Sequence, residues 1–160
     1  MPRAEAALYE AVGSYRAELP LEGFGALGSA SMTRSKVRRE SGGPSEQLPG
    51  LSRNVLNGTL YYEGGGFSAR VSARHRSKFL AEAYGLSLSR QLTMAKSETI
   101  LDAQISQDLT PYGIRGLTLY LQGSNLTDEP FVQYFNHDPT QFRNWHSYGR
   151  NFMAGATFKF

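Results

Sequence analysis

Cysteine is absent from the 160-residue chain, which excludes a disulfide framework, thiolate nucleophiles and any cysteine-based zinc site. Long hydrophobic runs are absent too: no stretch approaches the roughly 20 consecutive apolar residues of a membrane-spanning helix. That absence leaves strands open, because strands that cross a bilayer alternate apolar and polar residues and give little hydropathy signal. Charge of one sign is scarce. Seventeen Lys and Arg against fourteen Asp and Glu leave a net charge of +3, too mild an excess to point to nucleic acid. The opening residues, Met1-Pro2-Arg3-Ala4-Glu5, lack the basic region and apolar core of a secretory signal. Catalytic constellations are missing as well. His75, His137 and His146 have no second ligand at helical spacing, and His137-Asp138 reads as a solvated pair. Neither a nucleophile elbow nor a Gly-rich phosphate loop occurs. No enzymatic activity, cofactor or metal is expected.

What the chain does have is period-two alternation interrupted by turn residues. Phe24, Ala26, Gly28, Ala30 and Met32 share one face of a first run, with Ser29, Ser31 and Thr33 opposite. In a second run Leu56, Leu60 and Tyr62 oppose Asn57, Thr59 and Tyr61, and Gly64-Gly65-Gly66 turns the chain. A third, Phe67 to Phe79, sets Phe67, Ala69, Val71, Ala73 and Phe79 against Ser68, Arg70, Ser72, Arg74, Arg76 and Lys78. Leu101, Ala103, Ile105 and Leu109 oppose Asp102, Gln104, Ser106 and Asp108 in a fourth; Leu117, Leu119 and Leu121 oppose Thr118, Tyr120 and Gln122 in a fifth. The sixth places Phe152, Ala154, Ala156, Phe158 and Phe160 against Asn151, Met153, Gly155, Thr157 and Lys159. These lengths suit the about 9–11 residues of a tilted membrane strand. The less regular segment from Ala4 to Leu19 reads as the end of a preceding strand.

The connections alternate in length. Residues 36–50, 80–97 and 127–147 are long loops, whereas 64–66 and 110–116 are short turns. Outer-membrane barrels have long extracellular loops and short periplasmic turns, and counting back from Phe160 puts every long loop outside. An antiparallel soluble sandwich also has one apolar and one polar face, and alternation alone leaves both readings open. Unequal loops and an aromatic C-terminal residue favour the barrel.

The segment Asn125-Leu126-Thr127-Asp128-Glu129-Pro130 resembles the "NLTD" segment near the end of TonB-dependent outer-membrane receptors. Tyr148-Gly149-Arg150 and a last strand ending in Phe160 follow in the family's order. Upstream, Leu48-Pro49-Gly50-Leu51-Ser52-Arg53 is similar to the family's "PGLSK" with Arg for Lys. Tyr61-Tyr62-Glu63 with Gly66-Phe67-Ser68-Ala69-Arg70 and Arg74-His75-Arg76, then Asp102-Ala103 with Ile105-Ser106, resemble two further family segments. The match spans roughly residues 9 to 160. The resemblance implies an all-β fold: residues 1–160 would be the C-terminal part of an antiparallel transmembrane β-barrel, about six strands of about 22, without the plug domain. It implies the bacterial outer membrane, and as partners outer-membrane lipid, the remaining barrel and plug, TonB, the barrel-assembly machinery and an unidentified small-molecule ligand. Ferric siderophore, cobalamin and oligosaccharide all fit as cargo. Gly155, Phe158 and Phe160 would carry the assembly signal, with Met153 where the family has a polar residue. The missing signal and plug lead us to expect that the receptor begins upstream of Met1 and that this portion alone transports nothing. The alternatives are a soluble β-sandwich module binding carbohydrate or an acidic partner, and a small structural outer-membrane barrel.

Two groups of residues stand out as candidate sites. Arg70, Arg74, Arg76 and Lys78 form a basic face. In a barrel it points to the lumen, since a cation on the lipid face costs about 2–4 kcal/mol at the midplane. It is either a positive wall for anionic ligands or, as we favour, a ladder of ion pairs with Arg70 opposite Asp108 and Arg76 opposite Asp102. Phe131, Tyr134, Phe135, Phe142 and Trp145 crowd the last long loop, as ligand-stacking rings or as an interfacial girdle and loop packing. The Asn125–Pro130 segment is expected to shape a strand exit rather than carry chemistry.

Overall fold

A computed structural model describes residues 5–18, 22–38, 47–83 and 91–159. They are built almost wholly of antiparallel strands. These are β1 (Glu5–Glu18), β2 (Phe24–Arg38), β3 (Asn54–Gly64), β4 (Phe67–Arg76), β5 (Phe79–Glu82), β6 (Thr93–Ala95), β7 (Glu98–Asp108), β8 (Leu117–Ser124), β9 (Phe131–Phe135), β10 (Phe142–His146) and β11 (Asn151–Phe158). One 3-10 turn, Thr110–Tyr112, joins β7 to β8.

Seven long strands form one sheet in the order β1-β2-β3-β4-β7-β8-β11, an unbroken antiparallel meander. The sheet does not close, and β1 and β11 are its two edges. Six of the seven are the runs read from alternation. The seventh, β1, is a full strand rather than a strand end; Ala11 and Val12 are apolar neighbours, so its alternation is broken. β2 continues to Arg38 alongside β1, beyond the Met32–Asn54 pair where its contact with β3 ends, so the hairpin overhangs the sheet. β4 stops at Arg76, short of the expected Phe79.

Register gathers a continuous apolar face on one side of this sheet, while Val12, Leu27, Val55, Ile100 and Met153 lie on the other. One cross-strand row runs Ala30–Leu56–His75–Thr99, another Ala26–Leu60–Val71–Ala103–Gly123–Phe152, and a third Phe24–Tyr62–Ala69–Ile105–Leu121–Ala154. No Asp, Glu, Lys or Arg interrupts this face between the turn end and the His75–Thr99 pair; Arg34 and Lys36 join it only in the overhang. Among the described residues nothing packs on it: Leu60 is 61% and Phe152 65% exposed. At the short-turn end Phe24, Tyr62 and Phe67 line up, with ring centroids 4.6 Å and 6.2 Å apart. The β3–β4 hairpin turns on Gly65 and Gly66, whose φ of 59° and 79° suit residues without a Cβ.

The opposite face is polar and laced by cross-strand hydroxyl pairs: Thr59–Ser72 at 3.0 Å and Ser68–Ser106 at 2.7 Å. Two glycines take tyrosine rings on it. A Cβ at Gly25 would collide with Tyr61, and one at Gly155 with Tyr120. Each ring thus lies across the bare backbone of the neighbouring strand, which fixes the pair tightly.

The long loops 80–97 and 127–147 are not loops throughout. They contribute β5 and β6, and β9 and β10, which assemble into a second sheet in the order β10-β9-β6-β5 at the loop end of the first. Residues 84–90 lie outside the described residues, as do 39–46 of the first long loop. The small sheet holds the buried apolar cluster of the described residues: Leu80, Ala83, Met94 and Tyr134, with Leu92 against it.

Candidate functional site

The polar face of the large sheet and the small sheet at its loop end carry the candidate residues. On β4, Arg70 lies opposite Tyr61 and Gln104, Arg74 opposite Asn57 and Ile100, and Arg76 opposite Val55 and Glu98. The expected pairs Arg70–Asp108 and Arg76–Asp102 are not formed; the register differs by four residues, and Asp102 faces Ser72 while Asp108 faces Thr118. Both carboxylates instead hold turns. Asp102 Oδ1 accepts the Asn125 N–H at 2.9 Å, and Asp108 Oδ1 accepts the Thr110 N–H at 2.8 Å.

The four basic residues therefore part company. Arg76 is structural: its Nε donates to Ser52 Oγ at 2.6 Å, a terminal N–H donates to the Gly50 carbonyl at 3.0 Å, and the guanidinium lies 3.8 Å from the Phe79 ring centroid. It ties the segment after the first long loop to the β4–β5 corner. Lys78 is exposed and sits in the link after β4, off the basic face altogether. Arg70 and Arg74 are exposed on the polar face, and among the described residues neither forms an ion pair. A shallow recess beside Arg70 is lined by Tyr61, Glu63, Ser68 and Gln104. It sets one carboxylate, Glu63, beside one cation, Arg70, with hydroxyl and amide groups around them.

The NLTD segment forms a clamp. Asn125 adopts a left-handed φ of 53°, a conformation Asn tolerates better than other side-chain-bearing residues. Its Nδ2 donates to the carbonyls of Glu129 at 3.3 Å and Gly149 at 3.1 Å, and its Oδ1 accepts the Glu129 N–H at 2.9 Å. Thr127 Oγ1 donates to the Thr99 carbonyl at 2.9 Å. From the other side, Arg150 Nε donates to the Leu126 carbonyl at 3.1 Å. The Asn-Leu-Thr-Asp and Tyr-Gly-Arg segments thus grip each other, closing the base of the loop that carries β9 and β10 and fastening it to β7. A strand-exit role is expected of Asn125–Pro130 alone; the grip of Gly149 and Arg150 on it is a further finding.

The five aromatic candidates also separate. Tyr134 is 7% exposed and belongs to the small-sheet core, so its ring packs and is withdrawn from ligand stacking. Phe131 is half-buried, 6.4 Å from the His146 ring, and Phe135 lies 5.9 Å below the Arg143 guanidinium. Phe142 and Trp145, on edge strand β10, are 58% and 59% exposed and meet edge to face at 5.7 Å. Two polar ties missed from the sequence brace this sheet. Arg143 bonds both Glu82 and Thr93 Oγ1. Asp138 accepts from Thr140 Oγ1 at 2.7 Å, from Thr140 N–H at 3.0 Å and from Gln141 Nε2 at 3.1 Å, and the Thr140 hydroxyl holds its carboxyl below the usual range. His137 beside it takes a left-handed φ of 64°. Among the described residues no cluster of His, Cys, Asp and Glu is grouped to hold a metal.

Of the assembly-signal residues, Gly155 receives the Tyr120 ring and Phe158 pairs with Leu117 on the apolar face; Phe160 lies outside the described residues. Comparison with protein-family models matches none, and comparison with curated proteins finds no match.

Proposed function

We propose that the chain is the C-terminal portion of an outer-membrane TonB-dependent receptor for a large scarce solute, and that this portion alone does not transport. The observation that carries the reading is the seven-stranded meander with an uncharged, uncovered apolar face on one side and a hydroxyl-, amide- and guanidinium-bearing face on the other. Soluble monomers rarely expose an apolar patch of more than a few hundred Å², and seven strands at about 4.8 Å spacing make a face about 30 Å across. A bilayer is a solvent that accepts such a face. The aromatic row Phe24–Tyr62–Phe67 suits one interface of it. The polar face then looks into the barrel, where Arg70 and Arg74 stand among the carboxylates of Glu63, Glu98, Asp102 and Asp108, and ferric siderophore, cobalamin and oligosaccharide remain equal candidates for the cargo.

The same observation weighs against the soluble sandwich, which needs a second layer over the apolar face, and against a small complete barrel, which needs closure. Two experiments test the proposal. Native cells are fractionated: the reading expects the protein in the outer-membrane fraction after alkaline extraction. Vesicles reconstituted with this chain alone are expected to take up no ferric siderophore, cobalamin or oligosaccharide above protein-free vesicles. Recovery in the soluble fraction, or uptake by the chain alone, overturns it.

A further inference from the structure

Two neighbouring rows of side chains cross the polar face of the large sheet near its short-turn end. One is Tyr61–Arg70–Gln104 and the next is Glu63–Ser68–Ser106, both running over β3, β4 and β7. The first row carries long side chains throughout. In the second, Ser68 and Ser106 are short and bonded to each other at 2.7 Å. A low place is left over the serines, with Glu63 on one side and Arg70 and Gln104 on another. This is the recess, about 70 Å³ in volume, lined by Tyr61, Glu63, Ser68, Ala69, Arg70 and Gln104.

Its charged groups are left without partners. Tyr61 stands opposite Arg70, but its ring lies across Gly25 on the far side and does not cover the guanidinium. Glu63 and Arg70 are diagonal neighbours on adjacent strands, a relation that sets backbones about 7–8 Å apart. Among the described residues they form no ion pair. Nor does a side-chain hydrogen bond there engage the Glu63 carboxylate, the Arg70 guanidinium or the Gln104 amide. All three residues are exposed.

One anion, one cation and one neutral amide thus converge on one small space. A simple anion on Arg70 stands near Glu63, and a simple cation on Glu63 stands near Arg70; each gains from one group and loses from the other. A molecule that carries both charges gains from both. Bridging the two side chains forfeits little, because exposed groups of opposite charge attract one another weakly in water.

We propose that this recess is a binding site for small zwitterions of the α-amino-acid type. The ligand carboxylate accepts from the Arg70 guanidinium, whose planar fork suits it, and from the Gln104 amide. The ligand ammonium donates to the Glu63 carboxylate and to Ser68 Oγ. The volume admits the head group, an α-carbon with its two charges, while a longer side chain projects over the open face. The site therefore reads the head group and tolerates the rest. It is separate from the large cargo of the proposed receptor. It also does not need the membrane reading, because a polar face is wet in a lumen and in free solution alike.

The test uses the full chain, isotope-labelled, in neutral detergent micelles at neutral pH and constant ionic strength. Glycine, leucine, acetate and methylamine are titrated separately, and the Arg70 Nε–H and Gln104 side-chain amide resonances are followed. Glycine and leucine are expected to give saturable shifts at similar concentrations. Acetate and methylamine should need about tenfold more, since each lacks one charge-assisted contact. Glu63→Gln and Arg70→Gln should each weaken glycine about tenfold for the same reason, whereas Arg74→Gln, on the same face outside the recess, should not. The β2–β4 backbone amides report that the sheet is intact in each variant. Should a variant disturb them, the comparison of glycine with acetate and methylamine on the unaltered chain still decides. Acetate binding as well as glycine marks a plain anion site and overturns the inference. So does glycine binding that survives Glu63→Gln, or the absence of any saturable shift. None of these outcomes bears on whether the apolar face lies in lipid.

Discussion

The two sheets are made of the same kind of strand and use it in opposite ways. In the small sheet, Leu80, Met94 and Tyr134 turn toward one another and are buried. In the large sheet, Leu60, Val71, Leu121 and Phe152 share one face and all stay exposed. Alternation decides which residues share a face; whether that face is a core depends on what lies over it. The small sheet folds over its own apolar residues, with Ala83 and Leu92 completing the cluster. Among the described residues the large sheet has no protein layer on its apolar side, and on the proposed reading lipid takes that place.

The sharpest way to break this comparison is to remove a ring from each kind of site. Tyr134→Ala is expected to destabilise the small sheet by about 3–5 kcal/mol, as loss of a buried aromatic does. Denaturation followed through Trp145, the single tryptophan, reads it directly. Trp145→Ala, on the exposed edge strand, is expected to stay within about 0.5 kcal/mol, measured by hydrogen exchange at the β6 and β9 amides. Equal costs would mean that both rings are packed.

On the large sheet, Leu60→Arg is expected to cost about 2–4 kcal/mol in vesicles if its face lies in lipid, and within about 0.5 kcal/mol as an ordinary exposed position in water. Urea unfolding with and without lipid separates the two. The clamp joining the sheets is tested by Asn125→Ala. Glu129 N–H loses its acceptor and the Gly149 carbonyl its donor, so a loss of about 1–3 kcal/mol is expected, seen as faster amide exchange in residues 126–150 with the β2–β4 amides unchanged. Uniform change across the large sheet would show that the clamp is not local.

The smallest expected effect is at Asp138, whose carboxyl is held below the usual range by the Thr140 hydroxyl and N–H. The folded pKa is depressed, so the ionised carboxylate favours the turn at neutral pH. That contribution fades as pH falls through the carboxylate range and is gone below the folded pKa. The Thr140 amide resonance should follow this titration, and in Asp138→Asn it should not. A Thr140 shift with the midpoint of a free carboxylate would contradict it.

The large sheet was legible because six of its strands alternate cleanly between recognisable turns. β1 was obscured by the adjacent Ala11 and Val12. The small sheet was read as loop because its strands are three to five residues long, and Phe131-Val132 and Tyr134-Phe135 put apolar residues on both faces. The β4–β7 register was misplaced by four residues, an even slip that leaves every side chain on its own face and is invisible to alternation. Charge pairing was the wrong guide there, because an exposed ion pair contributes only about 0–1 kcal/mol. The Ser68–Ser106 hydroxyl pair and the Asp108 N–H to Gly66 carbonyl bond accompany the observed register. For the candidate site, the clamp was readable from Asn125 to Pro130, whereas the separation of Arg76 from Arg70 and Arg74 needed the positions of Ser52 and Gly50.

The central claim is that the uncovered apolar face of the large sheet lies in lipid. Single cysteines at Leu56, Asn57, Thr59 and Leu60 on β3, carrying a fluorescent label in phosphatidylcholine vesicles, test it most directly. The account predicts alternation: labels at Leu56 and Leu60 quenched by a lipid-attached quencher, labels at Asn57 and Thr59 by an aqueous one. Aqueous quenching at all four positions, with β-structure retained, would contradict it.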